Sequence, residues 1–188
     1  MLNEMHGSIR LQVAAGFDTL DDIVVNTVEA LSDDYDPVVL VSYAQQIATQ
    51  VLKDHLDEQA LWNAVTDCDR LDRSFAALDQ VGIVCQQNFS CCGSCDSTEI
   101  WSVVNDVRNT GIDVRGYAFY HMQDTESAVD GSGVYLSYGA VEQGEASALL
   151  IGREIVAVLN QHGLKTQWDE SWSTRIFVEL IWQRRWRN

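Results

Sequence analysis

The sequence predicts an α+β protein: a helical N-terminal region followed by a ferredoxin-like, split βαβ sheet domain with an extra C-terminal hairpin strand. Three observations predict it. Apolar residues recur at three- and four-residue spacing up to about residue 80 and change to short runs and alternation after it. The elements after that point come in the order β-α-β-β-α-β-β, the split βαβ arrangement with one further strand. With 46% apolar residues in 188, the chain has enough material for a real core. The change of period sets the division at 1–80 and 81–188.

The helical region is read from its stripes. Asp18 is the expected N-cap of a segment carrying Leu20, Ile23, Val24, Thr27, Val28 and Leu31 on one side. Ser32-Asp33-Asp34-Tyr35-Asp36-Pro37 breaks it, and the only proline suits the first turn of the next helix. That helix places Val41, Ala44, Ile47, Ala48, Val51 and Leu52 together. A third is expected from about Glu58 to Leu78, with Leu61, Val65, Cys68, Leu71, Phe75 and Leu78 as its stripe. Cys68 then reads as a small buried apolar side chain.

In the second half, Val81 to Cys85 is a short apolar run and so a strand. Asp96 with Glu99 three residues on has the pattern of a helix start, with Ile100, Trp101, Val104 and Val107 as the face and Asn109-Thr110-Gly111 as the stop. Arg115 to His121 alternates, Tyr117, Phe119 and His121 facing one way and Gly116, Ala118 and Tyr120 the other. Strands at Gly133–Tyr138, Leu164–Trp168 and Thr174–Trp182, a helix from Glu145 to His162, and a hairpin loop at Asp169–Ser173 complete the order. A split βαβ unit makes strands one and two parallel, with strand three between them and their C-terminal ends at one sheet edge. Residues 91–95 are therefore expected near His121-Met122-Gln123-Asp124.

Charge excludes one class of partner. The formal net charge is −16, with net −11 on residues 1–80 and −5 on 81–188. Nucleic acid needs a Lys/Arg surface to replace its counterions, and Arg184, Arg185 and Arg187 are too few to supply one. An acidic surface suits a basic protein partner instead. No secretory leader and no apolar run near the ~20 residues of a membrane span is read, so membrane is not an expected partner. Four of the five cysteines fall between Cys85 and Cys95, unlike a secreted disulfide framework. A reducing, cytoplasmic setting is expected. Nothing in the sequence sets an oligomeric state.

Cys91-Cys92-Gly93-Ser94-Cys95 is the chemically loaded stretch. Three accounts of it stay open. Closed zinc sites take about four ligands, and Cys91, Cys92 and Cys95 with His121 are the candidate set, zinc being the one cofactor considered; Cys85 is a weaker candidate. Cys92 and Cys95 have the C-x-x-C spacing at a helix start, where the helix dipole lowers a thiol pKa, so thiol-redox chemistry is the second account. No proline follows the pair, a departure from thioredoxin-like sites. Close packing at a tight strand-to-helix turn is the third. An enzyme using His121, Asp124, Glu126 and Cys95 is weighed against plainer roles: Asp124-Thr125-Glu126 also reads as a capped helix start, and His121 as a core histidine. Gly131-Ser132-Gly133 is a turn, since it lacks a lysine and a following helix. Trp168, Trp172, Trp182 and Trp186 gather near the last hairpin as core residues.

Several short motifs resemble, in order, those of an uncharacterised bacterial family known only as a domain of unknown function. They are Gln87-Asn88-Phe89-Ser90-Cys91-Cys92, Gly116-Tyr117, Phe119-Tyr120-His121, Gln123-Asp124-Thr125-Glu126, Gly133-Val134-Tyr135-Leu136-Ser137-Tyr138-Gly139, Trp168-Asp169 and Arg175-Ile176. The resemblance covers roughly residues 80–185. Glu170 stands where the pattern expects glycine. It implies a two-part chain with a helical N-terminal section and carries no activity. The expected function is a non-enzymatic acidic binding module, the alternative a zinc-binding or thiol-redox protein.

Overall fold

The structure is a computed structural model that describes residues 1–90 and 96–187, the side chains of 96–98 excepted. Its described residues form seven helices and a five-stranded mixed sheet, the α+β class expected, with the helices leading. Two compact units result. One comprises Met1–Thr66 with Gln183–Asn188, the other Asp67–Trp182.

The helical unit is built from α1 (Leu2–Ala15), α2 (Leu20–Leu31) and α3 (Pro37–Gln59). Sequence periodicity did not single out α1, whose Met5, Ile9 and Val13 are nonetheless buried. They meet Ile23 and Val24 of α2 and Leu40, Ala44, Ala48 and Val51 of α3 in one apolar cluster. The cap of α2 is Thr19, not Asp18: the Thr19 hydroxyl accepts from the Asp22 amide at 3.2 Å, and the Asp22 carboxylate accepts from the Thr19 amide at 3.2 Å. Pro37 opens α3 after the Asp36 cap, as its fixed φ allows. The C-terminal residues belong to this unit. Trp186 packs against the cluster, its amide donates to the Gln59 side chain at 2.7 Å, and Arg185 donates to the Asn63 carbonyl at 2.6 Å. Arg184 stacks over Phe17, its guanidinium carbon 4.4 Å from the ring centroid.

A continuous helix over Glu58–Leu78 does not form. The chain leaves α3 at Gln59 and re-enters helix as α4 (Asp67–Gln80). Leu61, expected on the stripe, is exposed, while Trp62 sets its ring edge-on against His55 at 5.3 Å. Asp67 and Asp69 then load the α4 start with the negative charge a helix N-terminus favours. Cys68, Leu71, Phe75 and Leu78 are buried as expected. Because α4 packs on the sheet, the compact units divide at 66/67, whereas the change of period placed the division after residue 80.

The sheet unit adds β1 (Ile83–Gln86), α5 (Asp96–Asn109), β2 (Gly116–Phe119), α6 (Met122–Val129), β3 (Val134–Ala140), α7 (Glu145–Gln161), β4 (Lys165–Gln167) and β5 (Ile176–Glu179). Strand order is β1-β2-β3-β5-β4, with β1 and β2 parallel and the other pairs antiparallel. This corrects the expected order: β3 does not lie between β1 and β2, which are direct neighbours. The crossover through α5 is long enough to return the chain beside β1 in parallel. Side chains then decide where β3 goes. Tyr117 pairs with Gly139, and its ring lies across that glycine so closely that a Cβ there would collide with it. Val84, Val104 and Val114 pack on the Tyr117 side with Trp101 of α5. On the other side of β2, Gly116 lets Ile151 of α7 approach the backbone, and Phe75 of α4 meets Tyr120. The terminal hairpin forms as expected. Glu170 takes a left-handed φ of 58°, the backbone that explains why glycine suits the position. No described helix is long and apolar enough to cross a membrane.

Candidate functional site

Parallel neighbours bring their carboxyl ends to one edge of a sheet, and ligands of open sheets gather at such edges. Here the edge is made by residues 87–90 after β1 and 120–125 after β2. The ladder continues beyond the strands: the Phe89 amide donates to the Tyr120 carbonyl at 2.8 Å, and the Met122 amide to the Ser90 carbonyl at 3.2 Å. Asn88 and Ser90 take left-handed φ values of 52° and 55°, which lets the segment curl against its neighbour.

Side chains lock the two segments together. The Thr125 hydroxyl donates to Asn88 Oδ1 at 2.8 Å, and the Tyr120 hydroxyl to Gln87 Oε1 at 2.8 Å. Gln87 in turn donates to Asp72 of α4 at 2.9 Å. His121 is buried, with Nδ1 3.2 Å from the Phe89 carbonyl and its ring edge-on to Phe119 at 5.2 Å. A carbonyl only accepts, so Nδ1 is the donor in this contact. The segment 87–90 and the segment beginning at His121 therefore meet, while the expected approach of residues 91–95 to His121–Asp124 lies outside the described residues.

Beyond His121 lies a polar cleft of about 470 Å³ lined by His121, Gln123, Asp124, Tyr135, Ser137 and Arg175, among others. Asp124 is buried, its carboxylate accepting from the His121 amide at 3.1 Å and from Arg175 Nη1 at 2.9 and 3.2 Å. Arg175 lies over the Tyr135 ring, 5.1 Å from its centroid, and Nη1 also reaches the Tyr135 carbonyl at 3.4 Å. Asp124 therefore caps α6 and anchors an arginine from the start of β5.

The expected site residues fare differently. Cys91, Cys92 and Cys95 lie outside the described residues. Among the described ones, no group of three or more His, Cys, Asp or Glu side chains is placed to hold a metal. Cys85 is buried in β1, where burial and then the Asp79 carboxylate push its thiol pKa well up, the mark of an inert thiol. Asp124 is tied to Arg175, and Glu126 is exposed on the far side of the α6 start. Sequence reasoning assigned no role to Asn88, Thr125 or Arg175, although each falls inside a motif quoted above.

The helical unit carries a second candidate surface. Residues 32–39 are all exposed, and they set Asp33, Asp34 and Asp36 beside Val38 and Val39. Val38 is 81% exposed, and Val39, Val41 and Tyr43 extend the apolar patch along the first turns of α3.

The family model described as a domain of unknown function (DUF6891) matches residues 1–186. It takes in the helical unit as well as the sheet, where the motif resemblance reached only residues 80–185. No curated protein and no solved structure matches the chain. The chain belongs to the DUF6891 family.

Proposed function

We propose that this member of the DUF6891 family is a non-enzymatic binding module, and that the acid-edged apolar patch at the start of α3 receives a basic, amphipathic segment of a partner protein. The observation that carries this is the exposure of Val38, Val39, Val41 and Tyr43 directly after Asp33, Asp34 and Asp36. Three β-branched side chains here give up helix propensity and recover only part of it by burial within the chain, Val38 least of all. Contiguous apolar surface rimmed by charge is the usual composition of a contact site. The net charge of −16 steers a cationic partner toward it.

Titration with a synthetic lysine–leucine amphipathic helix, followed by fluorescence anisotropy, tests this. The expected result is saturable binding that weakens at least about tenfold, ~1.4 kcal/mol, in V38S/V39S/Y43S and in D33N/D34N/D36N, and that falls with added salt. Asn at position 36 retains the cap, so the second variant stays folded. Equal binding to a glutamate–leucine peptide of the same pattern, or binding unchanged in both variants, overturns the assignment.

A second reading is a zinc or thiol centre using Cys91, Cys92, Cys95 and His121, with Cys92 and Cys95 alone as the redox form. What supports it is the anchoring of residues 87–90 on the segment that carries His121, whose ring orientation is fixed by the Nδ1 bond to the Phe89 carbonyl. About one zinc per chain in protein purified without chelator, reduced tenfold or more in His121→Gln, is the expected result. Absent zinc together with ordinary pKa values for Cys92 and Cys95 removes both forms.

A further inference from the structure

We propose that the cleft beside α6 is an oxyanion site in which Arg175 receives the carboxylate or phosphate group of a small ligand, a role independent of the α3 patch. Arg175 is held before any ligand arrives. Its charge is anchored by the buried Asp124 carboxylate, its plane rests over Tyr135, and a third contact joins Nη1 to the Tyr135 carbonyl. Every hydrogen bond it makes among the described residues uses Nη1. The Nε–H and both Nη2 hydrogens remain unspent on a side chain that is 42% exposed. The Nε–H and the neighbouring Nη2 hydrogen form one edge of the guanidinium, the edge that pairs in parallel with two oxygens of a carboxylate or phosphate.

The rest of the wall fits the same chemistry. Gln123, Ser132 and Ser137 line the cleft with an amide and two hydroxyls that have no partner among the described residues. A volume of about 470 Å³ falls within the range of small-molecule sites, on the order of 300–1,000 Å³. Asp124 neutralises part of the arginine charge, so recognition comes from fixed geometry more than from long-range attraction. The site is therefore expected to choose a planar or tetrahedral oxyanion over chloride.

Succinate and inorganic phosphate are the probes, and the Arg175 Nε–Hε resonance in a ¹H–¹⁵N spectrum is the readout. A saturable shift with either probe, absent with chloride at equal ionic strength, is expected, and the probe that saturates first identifies the ligand class. Arg175→Lys keeps the charge and loses the fork, and should weaken binding at least about tenfold. Ser137→Ala leaves the Asp124–Arg175 pair intact and should weaken it several-fold, which guards against a folding defect in the first variant. No shift with either probe, a linear unsaturated shift, or the same response to chloride overturns the proposal.

Discussion

Removing residues 183–188 should destabilise the helical unit by about 3 kcal/mol, although no helix is cut. Trp186 is partly buried against the cluster of Met5, Ile9, Val13, Ile23, Leu40 and Ala44, and its loss uncovers that cluster. The deletion also removes Arg184 from Phe17, the Arg185 bond to the Asn63 carbonyl and the Trp186 bond to Gln59. In a unit of this size the change corresponds to roughly 10–20 °C in its thermal transition. Hydrogen exchange should report it as lost protection in α1–α3, with the β-strand amides unchanged. An unaltered melting curve in the shortened chain would mean that the tail is ornamental.

His55 gives the same contact a pH dependence. It has a backbone hydrogen bond with Arg184, its Nε2 is buried without a partner, and burial holds its pKa below the ordinary value. The folded state therefore prefers the neutral ring. That preference has no effect above the unfolded pKa of about 6.5, and stability is lost as pH falls from there through the lowered folded value. The full-length chain should lose helical stability on mild acidification more steeply than His55→Gln does. Parallel curves for the two would show that His55 titrates without consequence.

The second large effect is at Asp124. Asp124→Ala should cost about 2–3 kcal/mol, because it removes the acceptor for the His121 amide and the partner of Arg175 together. Arg175 is exposed enough to regain water, which keeps the figure below that of a fully buried pair. Asp124→Asn retains an acceptor oxygen and should cost about 1 kcal/mol. Chemical denaturation of the three proteins decides this. An alanine variant within about 0.5 kcal/mol of the parent would show that neither bond holds the α6 start.

The site was legible in part. Alternation over Arg115–His121 placed His121 with Tyr117 and Phe119, and the rings of Tyr117, Phe119 and His121 do follow one another on a single side of β2. Its meeting with residues 87–90 follows from the parallel pairing of β1 and β2, which brings their carboxyl ends to the same edge whether the strands are adjacent or split; the expected approach of residues 91–95 lies outside the described residues. Arg175 was not legible as a site residue. It lies 51 positions from Asp124, and nothing in local spacing couples a residue entering β5 to one opening α6.

What the sequence determined by itself was local: the apolar stripes of α2, α3 and α4, the strand periods, the glycine and proline stops, and the acidity that favours a cationic partner. These depend on neighbours within a few positions, where geometry and side-chain chemistry act directly. The tertiary structure decided what depends on distant partners. Tyr117 lying over Gly139 set β3 beside β2, packing on β1 made α4 part of the sheet unit, and burial of Trp186 bound the C-terminal residues to the helical unit. The cleft has the same origin, since Asp124 and Arg175 meet only after β5 has paired with β3.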